Sequence, residues 1–194
     1  MKNIALPIPL FLIIALLILN SCSAPEQNQN VKLDVMTYNI KYDAKNDPHF
    51  NWDARKTDVF DLLNRYQPGI FGTQEGLFHQ LNDMEGALDG YTWYGRSRNG
   101  VPDEGEFSSI FYDSTKYELL AGDTFWLSET PSQPGKGWDA AYPRICTWAK
   151  FDLRMESGRQ EFYVFNTHFD HVGVEARRNS ARQIIDSVLS ITDR

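Results

Sequence analysis

The sequence predicts an α+β fold arranged as a four-layered α/β/β/α sandwich. Strand-like segments dominate from residue 31 onward, with amphipathic helical segments interspersed among them, and this order is typical of packed sheets that carry helices. Apolar residues make up 42% and aromatic residues 13% of the 194 residues, enough to fill a core. Such a composition argues against a disordered or low-complexity chain.

The N-terminal segment 1–21 is predicted to be a signal peptide. An uncharged run from Ile4 to Leu19 follows Lys2, but two prolines interrupt it and it is shorter than the roughly 20 apolar residues of a membrane-spanning helix. The run ends in Ser21 and Cys22, which resembles the lipobox of bacterial lipoproteins. The alternative is an ordinary secretory signal with an incidental cysteine.

We therefore expect an exported bacterial lipoprotein, anchored in the membrane by a lipid on Cys22, at the periplasmic face or the cell surface. Segment 22–30 is polar and lacks an apolar period, so it is predicted to be a flexible tether. With lipid on Cys22, Cys146 has no cysteine partner, and stability has to come from packing. The folded domain is predicted over residues 31–194.

The first half of the domain alternates strand and helix patterns. Val31–Ile40 alternates and then becomes apolar on both faces, as in a strand that enters a buried sheet. Trp52–Tyr66 has a helical apolar stripe that ends before Pro68. Gly69–Glu75 is predicted to be a short strand, and the apolar spacing over Leu77–Leu88 predicts a second amphipathic helix.

The middle of the chain is rich in β-branched and aromatic residues between turn signals. Strands are predicted over Tyr91–Tyr94, Phe107–Tyr112, Tyr117–Leu120, Thr124–Leu127, Ile145–Leu153 and Glu161–Thr167. The polar segments 96–105 and 129–143 are long enough to be functional loops. A final helix is predicted over Glu175–Ile191.

Three polar side chains stand at the C-terminal ends of apolar strands: Asn39, Glu75 and His168. Separations of 36 and 93 residues mean that only the tertiary fold can bring them together. Polar groups at the ends of buried strands are held rigidly and still reach solvent, as a functional site requires. These three residues are therefore the first candidates for chemistry.

The motifs Tyr38-Asn39, Gln74-Glu75 and Asn166-Thr167-His168 occur in this order. Together they resemble the endonuclease/exonuclease/phosphatase superfamily of metal-dependent phosphohydrolases, which share a fold with DNase I. The resemblance covers Val31 to Arg194. It implies a phosphoester hydrolase that uses Mg²⁺, or Mn²⁺ in its place.

The resemblance also implies residue roles. Glu75 is the expected metal ligand and Asn39 an oxygen or amide partner of the metal or phosphate, because Mg²⁺ takes one or two carboxylates and keeps several waters. His168 is expected to donate a hydrogen bond to a phosphoryl oxygen or to the leaving group. The structural alternatives are a capping or salt-bridged carboxylate for Glu75 and a core histidine for His168.

Three further residues are weaker candidates, and for two of them, Asp170 and Arg177, a structural role is equally open. Asp170 is expected either to orient His168 as a second catalytic residue or to be a plain loop carboxylate. Arg177, near the start of the last helix, is a candidate phosphate ligand or a surface ion pair. Arg144 is a second phosphate candidate.

The net charge of the chain limits the class of partner that we expect. A formal net charge of −7 disfavours a dedicated nucleic-acid binder, which needs a basic face. A nuclease would need a basic strip, to which Arg96, Arg98 and Arg144 can contribute. We expect a monomer that acts on a phosphorylated small molecule or a lipid headgroup.

Superfamily members continue with a Gly-Asp-Phe-Asn segment and end in Ser-Asp-His, and neither occurs in this sequence. These segments supply the groups that position and activate water, and a general base contributes about 10²–10⁴-fold. We therefore expect the N-terminal two-thirds of such an enzyme, incomplete at the C-terminus and weak or inactive. The alternative is a non-catalytic lipoprotein that binds a phosphorylated ligand or partner.

Overall fold

The computed structural model describes residues 32–155 and 158–192. The predicted signal peptide, the tether and Cys22 lie outside these ranges. In chain order the elements are β1 (Val35–Asn39), α1 (Trp52–Tyr66), β2 (Ile70–Gln74), β3 (Gly76–Leu77), α2 (Phe78–Ala87), β4 (Tyr91–Tyr94), β5 (Glu106–Phe107), β6 (Ile110–Asp113), β7 (Tyr117–Trp126), β8 (Ile145–Met155), β9 (Gly158–Thr167) and α3 (Val174–Thr192). Among the described residues, no helix is both long and apolar enough to cross a bilayer.

The first sheet has the strand order β1-β2-β6-β4, with β1 parallel to β2 and the remaining neighbours antiparallel. Its core cluster includes Leu63 from α1 and Leu81 from α2, packed with Phe71 and Phe111 of the sheet. Phe71 and Phe111 stack with their ring centroids 4.8 Å apart. The two helices therefore cover one face of this sheet, as their apolar stripes predict.

The second sheet has the order β7-β8-β9 and is antiparallel throughout. A second core cluster joins Ile70 and Ile110 of the first sheet to Ala149 and Phe151 of β8. The two sheets thus pack face to face, and the α+β fold class predicted from the sequence is confirmed.

Most predicted elements occur close to their expected bounds, but β7 differs. The pattern predicts two short strands separated at Gly122, whereas one strand runs from Tyr117 to Trp126 with a bulge between Leu119 and Ala121. A Cβ atom on Gly122 would lie 2.6 Å from the Tyr94 ring and 2.8 Å from the Trp148 carbonyl oxygen. The glycine therefore permits close packing and does not mark a turn.

Candidate active site

Glu75 directly follows β2 and has an unusual backbone conformation. Its φ angle is 63°, in the left-handed region that non-glycine residues seldom adopt. Asn39 Nδ2 donates to Glu75 Oε1 at 2.8 Å, and the Tyr42 amide donates to Oε2 at 3.2 Å. The carboxylate is therefore fixed by contacts from another strand and another loop, which is the setting in which strained backbone marks functional sites.

The parallel pairing of β1 and β2 explains how Asn39 reaches Glu75. Asn39 lies opposite Gln74 in the register, so the two strands end side by side. The Asn39 side chain also accepts a hydrogen bond from the Lys41 amide through Oδ1, at 2.9 Å. Both ends of the Asn39 amide group are therefore engaged, and in this arrangement Asn39 orients the carboxylate.

Arg55 of α1 holds the loop that follows β1. Its guanidinium donates to the backbone carbonyls of Ile40 and Lys41, and its Nε donates to the carbonyl of Phe50 at 3.1 Å. These contacts fix the segment whose next amide, at Tyr42, donates to Glu75.

His168 follows β9 and faces Glu75 from the second sheet. His168 Nε2 lies 3.9 Å from Glu75 Oε1, beyond direct hydrogen-bond distance. Both side chains are about a quarter to a third exposed, at 30% and 27%. A small oxygen-bearing group can therefore contact both side chains at once.

Asn166 is the joint that brings β9 to the first sheet. Its Nδ2 donates to the carbonyls of Thr73 and Ser109 at 2.8 and 2.9 Å, and its Oδ1 accepts from Gln74 Nε2 at 2.7 Å. A Cβ atom on Gly72 would lie 2.6 Å from this amide group, so the glycine leaves room for it. The joint fixes His168, two residues further along, relative to Glu75.

Arg144 directly precedes β8 and is buried, with 5% of its surface exposed. Its Nε donates to Asp170 Oδ2 at 3.2 Å, its Nη1 lies 3.3 Å from His168 Nδ1, and its Nη2 lies 3.1 Å from His171 Nδ1. The guanidinium therefore connects both histidines to one buried carboxylate.

Asp170 does not contact His168 directly. Its carboxylate accepts hydrogen bonds from the amides of Ala141, Tyr142, Val172 and Gly173 and from Arg144 Nε. Burial pushes its pKa upward, but these hydrogen bonds outweigh burial and lower the pKa well below its usual value. Asp170 therefore supports Arg144 and the loop before β8, and it reaches His168 only through Arg144.

Arg177, in the first turns of α3, contacts the backbone of Asp170. Its Nη1 donates to the backbone carbonyl of Asp170 at 3.0 Å, and Arg177 is absent from the residues that line the cleft. The sequence-predicted residues Asn39, Glu75, His168 and Arg144 are thus brought together, whereas Arg177 lies behind Asp170.

A cleft of about 600 Å³ opens between the ends of the two sheets. The residues that line it are Tyr42, Glu75, Arg98, Glu106, Tyr142, Arg144, His168 and His171. Arg98 binds both carboxylate oxygens of Glu106 at 2.8 Å, and its guanidinium lies 5.2 Å from the Tyr142 ring centroid. An ion pair and an aromatic ring therefore line the cleft together with Glu75.

The sequence interpretation missed Glu106 altogether and gave Arg98 a place only in a hypothetical basic strip. Glu106 enters the cleft because β3 pairs with β5, which sets Glu106 opposite Leu77, two residues after Glu75. A two-residue strand leaves no periodic signal. The one available hint is that Glu106 directly precedes the predicted strand Phe107–Tyr112.

Burial, hydrogen bonds and nearby charges shift the pKa values of Glu75 and His168. Burial pushes the pKa of Glu75 upward, but hydrogen bonds from Asn39 and Tyr42 outweigh it and lower the pKa. Burial, followed by the positive charge of Arg144, lowers the pKa of His168, although Glu75 opposes this. Glu75 is therefore a carboxylate at neutral pH and His168 favours its neutral form.

The donor set fits a hard divalent cation held by few protein ligands. Each Glu75 oxygen accepts one hydrogen bond and keeps lone pairs that can bind a cation. Among the described residues, no three His, Cys, Asp or Glu side chains lie close enough together to form a metal cage. Mg²⁺ does not need a cage, because it binds through one or two carboxylates and keeps its waters.

The chain is similar to an endonuclease/exonuclease/phosphatase family protein from Bacteroides thetaiotaomicron, with 39% identity and a TM-score of 0.78 over 82% of this chain and 59% of that one. It is equally similar to a mannosyl-6-phosphatase from Bacteroides thetaiotaomicron, with 39% identity and a TM-score of 0.78 over 82% of this chain and 60% of that one.

An endonuclease/exonuclease/phosphatase from Bacteroides vulgatus matches with 40% identity and a TM-score of 0.76, over 81% of this chain and 59% of that one. The chain thus spans about three-fifths of the length of the solved structures that it matches. No family model matches the sequence, and no curated protein is significantly similar to it.

Proposed function

Because this chain belongs to the endonuclease/exonuclease/phosphatase superfamily, whose members share the DNase I fold, we propose that its cleft hydrolyses phosphate esters with a bound divalent cation. One observation carries the proposal. A carboxylate held in a left-handed backbone conformation, Glu75, faces the His168 imidazole across 3.9 Å inside a cleft that also contains Arg144. A carboxylate, an imidazole and a guanidinium are the groups that phosphoryl transfer uses to stabilise charge.

Glu75 would hold Mg²⁺, or Mn²⁺, with Asn39 keeping its carboxylate in place. When bound, such a cation polarises a phosphoryl oxygen and offsets the negative charge that grows in the transition state. The hydrogen bond from Asn39 keeps the carboxylate oriented at the edge of the cleft. His168, on the opposite side, donates a hydrogen bond to a phosphoryl oxygen or to the leaving oxygen.

The proposed substrate is a phosphorylated small molecule, and a sugar phosphate is the candidate that we favour most. One matched structure is a mannosyl-6-phosphatase, and this chain shares 39% identity with it. The Arg98–Glu106 pair and the Tyr142 ring add polar and aromatic surface beside the phosphate position. Phospholipid headgroups come second, and the net charge of −7 disfavours long nucleic acids.

The test is phosphate release from mannose 6-phosphate and p-nitrophenyl phosphate by the full chain, with Mg²⁺ and then with a chelator. We expect slow turnover that depends on Mg²⁺ and falls at least about 10²-fold in Glu75→Gln and His168→Gln, because removal of an electrostatic donor usually has that effect. Glu118→Gln, at an exposed position of β7, is the matched control and should retain wild-type turnover. Metal-independent turnover, or equal loss in the control, would contradict the proposal.

A non-catalytic role in binding phosphorylated ligands is the second candidate. It is favoured by the two guanidinium groups that line the cleft, those of Arg98 and Arg144, because they can attract an anion whether or not hydrolysis follows. If this role holds, inorganic phosphate or a sugar phosphate binds to the wild type and more weakly to Arg144→Met, while no phosphate is released. The turnover assay with Mg²⁺ separates the two candidates.

We also propose that Cys22 carries a lipid and holds the domain at the periplasmic face or the outer surface of a bacterial membrane. The proposal is supported by the position of the Ser21-Cys22 pair directly after the short apolar run. The polar residues up to Asn30 would then separate the domain from the membrane.

A further inference from the structure

Arg144 contacts two imidazole rings at the same ring atom. Its Nη1 lies 3.3 Å from Nδ1 of His168, and its Nη2 lies 3.1 Å from Nδ1 of His171. The third contact, from Nε to Asp170 Oδ2 at 3.2 Å, holds the guanidinium from behind. All three of its nitrogens are therefore engaged at known partners.

The chemistry of guanidinium and imidazole determines which group donates in each of these hydrogen bonds. A guanidinium carries only N–H donors and stays protonated in proteins, so each Nδ1 that it contacts has to be the acceptor. An imidazole whose Nδ1 accepts is neutral and carries its proton on Nε2. We infer that Arg144 is a positioning residue that fixes His168 as the neutral tautomer with its Nε2–H directed toward Glu75.

With this tautomer, His168 is a hydrogen-bond donor at Nε2. Its Nε2 lies 3.9 Å from Glu75 Oε1, too far for a direct hydrogen bond, so the N–H is available to an oxygen atom that enters between them. The ring donates without carrying a charge. Of the charged groups that face it, Glu75 favours the imidazolium, whereas Arg144 and Arg98 disfavour it.

Asp170 keeps the guanidinium plane in position. Its two oxygens accept four backbone amide hydrogen bonds besides the one from Arg144, and only 2% of its surface is exposed. A buried carboxylate with that many partners has no freedom to turn. The tautomer of His168 is therefore set through Arg144 by a carboxylate that His168 never touches.

The tautomer of His168 does not depend on the proposed function; only the hydrogen bond from its Nε2–H to a substrate oxygen does. The tautomer can therefore be tested without an activity assay. Long-range ¹⁵N–¹H correlation spectra of the full chain, labelled at its 4 histidines, report which ring nitrogen carries the proton. His168→Gln and His171→Gln assign the two relevant rings. For the wild type at neutral pH we expect both rings to be protonated at Nε2 and unprotonated at Nδ1.

Arg144→Met removes the donors and should convert His168 into a mixture of both tautomers. Arg98→Met is the matched control, because it also removes a cation from the cleft but makes no contact with Nδ1, and it should keep the Nε2–H form. A wild-type His168 with a protonated Nδ1, or an Arg144→Met spectrum identical to that of the wild type, would overturn the inference. If Arg144→Met fails to fold, Arg144→Gln, whose shorter side chain cannot bridge both rings, replaces it.

Discussion

At the scale of single residues, Asp170 has the largest number of dependent contacts in the site. It is buried, and it connects the loop before β8, the turn before α3 and the Arg144 guanidinium. Of these partners, only the turn before α3 is close to Asp170 in sequence. A substitution at Asp170 should therefore affect stability and the geometry of the cleft together.

We expect Asp170→Asn to lower the free energy of unfolding by about 3 kcal/mol at neutral pH, because it leaves a buried guanidinium without its counter-charge. The pKa of Asp170 is lowered in the folded protein relative to its ordinary value of 3.8. Its ionised form thus stabilises the fold above about pH 4, and this contribution is lost as the pH falls toward the folded-state pKa.

The difference between wild type and Asp170→Asn in urea unfolding should therefore shrink below about pH 4. Asp61→Asn, at an exposed position of α1, is the control and should match the wild type at every pH. An unchanged difference between neutral and acidic pH would show that the carboxylate charge is not what stabilises the fold.

The sequence could predict Asn39, Glu75 and His168 because each lies at the end of an apolar strand. In the structure Glu75 and His168 line one cleft, and Asn39 donates to Glu75. It could not predict that Arg144 would bind two imidazoles. That arrangement depends on how the 129–143 loop approaches Asp170, and the loop has no periodicity. Irregular segments are placed by tertiary contacts that local patterns do not record.

At the scale of the elements, the joint between the two sheets depends on one amide side chain. Asn166 on β9 donates to two backbone carbonyls of the first sheet and accepts from Gln74. Asn166 is buried, so a change at this position removes hydrogen bonds that water cannot easily replace. The distance between Glu75 and His168 depends on this joint.

We expect Asn166→Asp to destabilise the fold more than Asn166→Ala. Aspartate puts a carboxylate oxygen where Nδ2 now donates to the carbonyls of Thr73 and Ser109, so that like partial charges meet. Alanine only removes the Asn166 hydrogen bonds, while the Ser109 carbonyl keeps the one from the Thr73 amide and Gln74 Nε2 keeps those to Thr37 and Gly72. Thermal unfolding compares them, with Asn46→Asp and Asn46→Ala at an exposed loop position as controls. The reverse order of the two Asn166 variants would contradict the assigned roles of the amide.

Secondary structure was predictable where the apolar period was long. The helix over Trp52–Tyr66 occurs at the predicted bounds because its stripe, the Asn51 cap and Pro68 all agree. The prediction was wrong at β7, where Gly122 allows Tyr94 to pack closely. A glycine needed for packing and a glycine needed for a turn are identical in sequence, and only the neighbouring strand distinguishes them.

At the scale of the whole molecule, the proposed lipid anchor lies at the N-terminus. If the proposed lipid is attached through the Cys22 sulfur, Cys22→Ser should abolish palmitate labelling. Cys146→Ala, which removes the buried cysteine, is the matched control and should remain labelled. Labelling that persists in Cys22→Ser would contradict the lipoprotein assignment.

The proposed function of the cleft requires that three strand ends meet at one cation. Mn²⁺ binding, followed by paramagnetic broadening of the His168 imidazole resonances, tests this directly because His168 lies 3.9 Å from Glu75. We predict that Mn²⁺ broadens His168 in the wild type and in Glu118→Gln, and that the broadening disappears in Glu75→Gln. Equal broadening in Glu75→Gln, or none in the wild type, would contradict a metal site at Glu75.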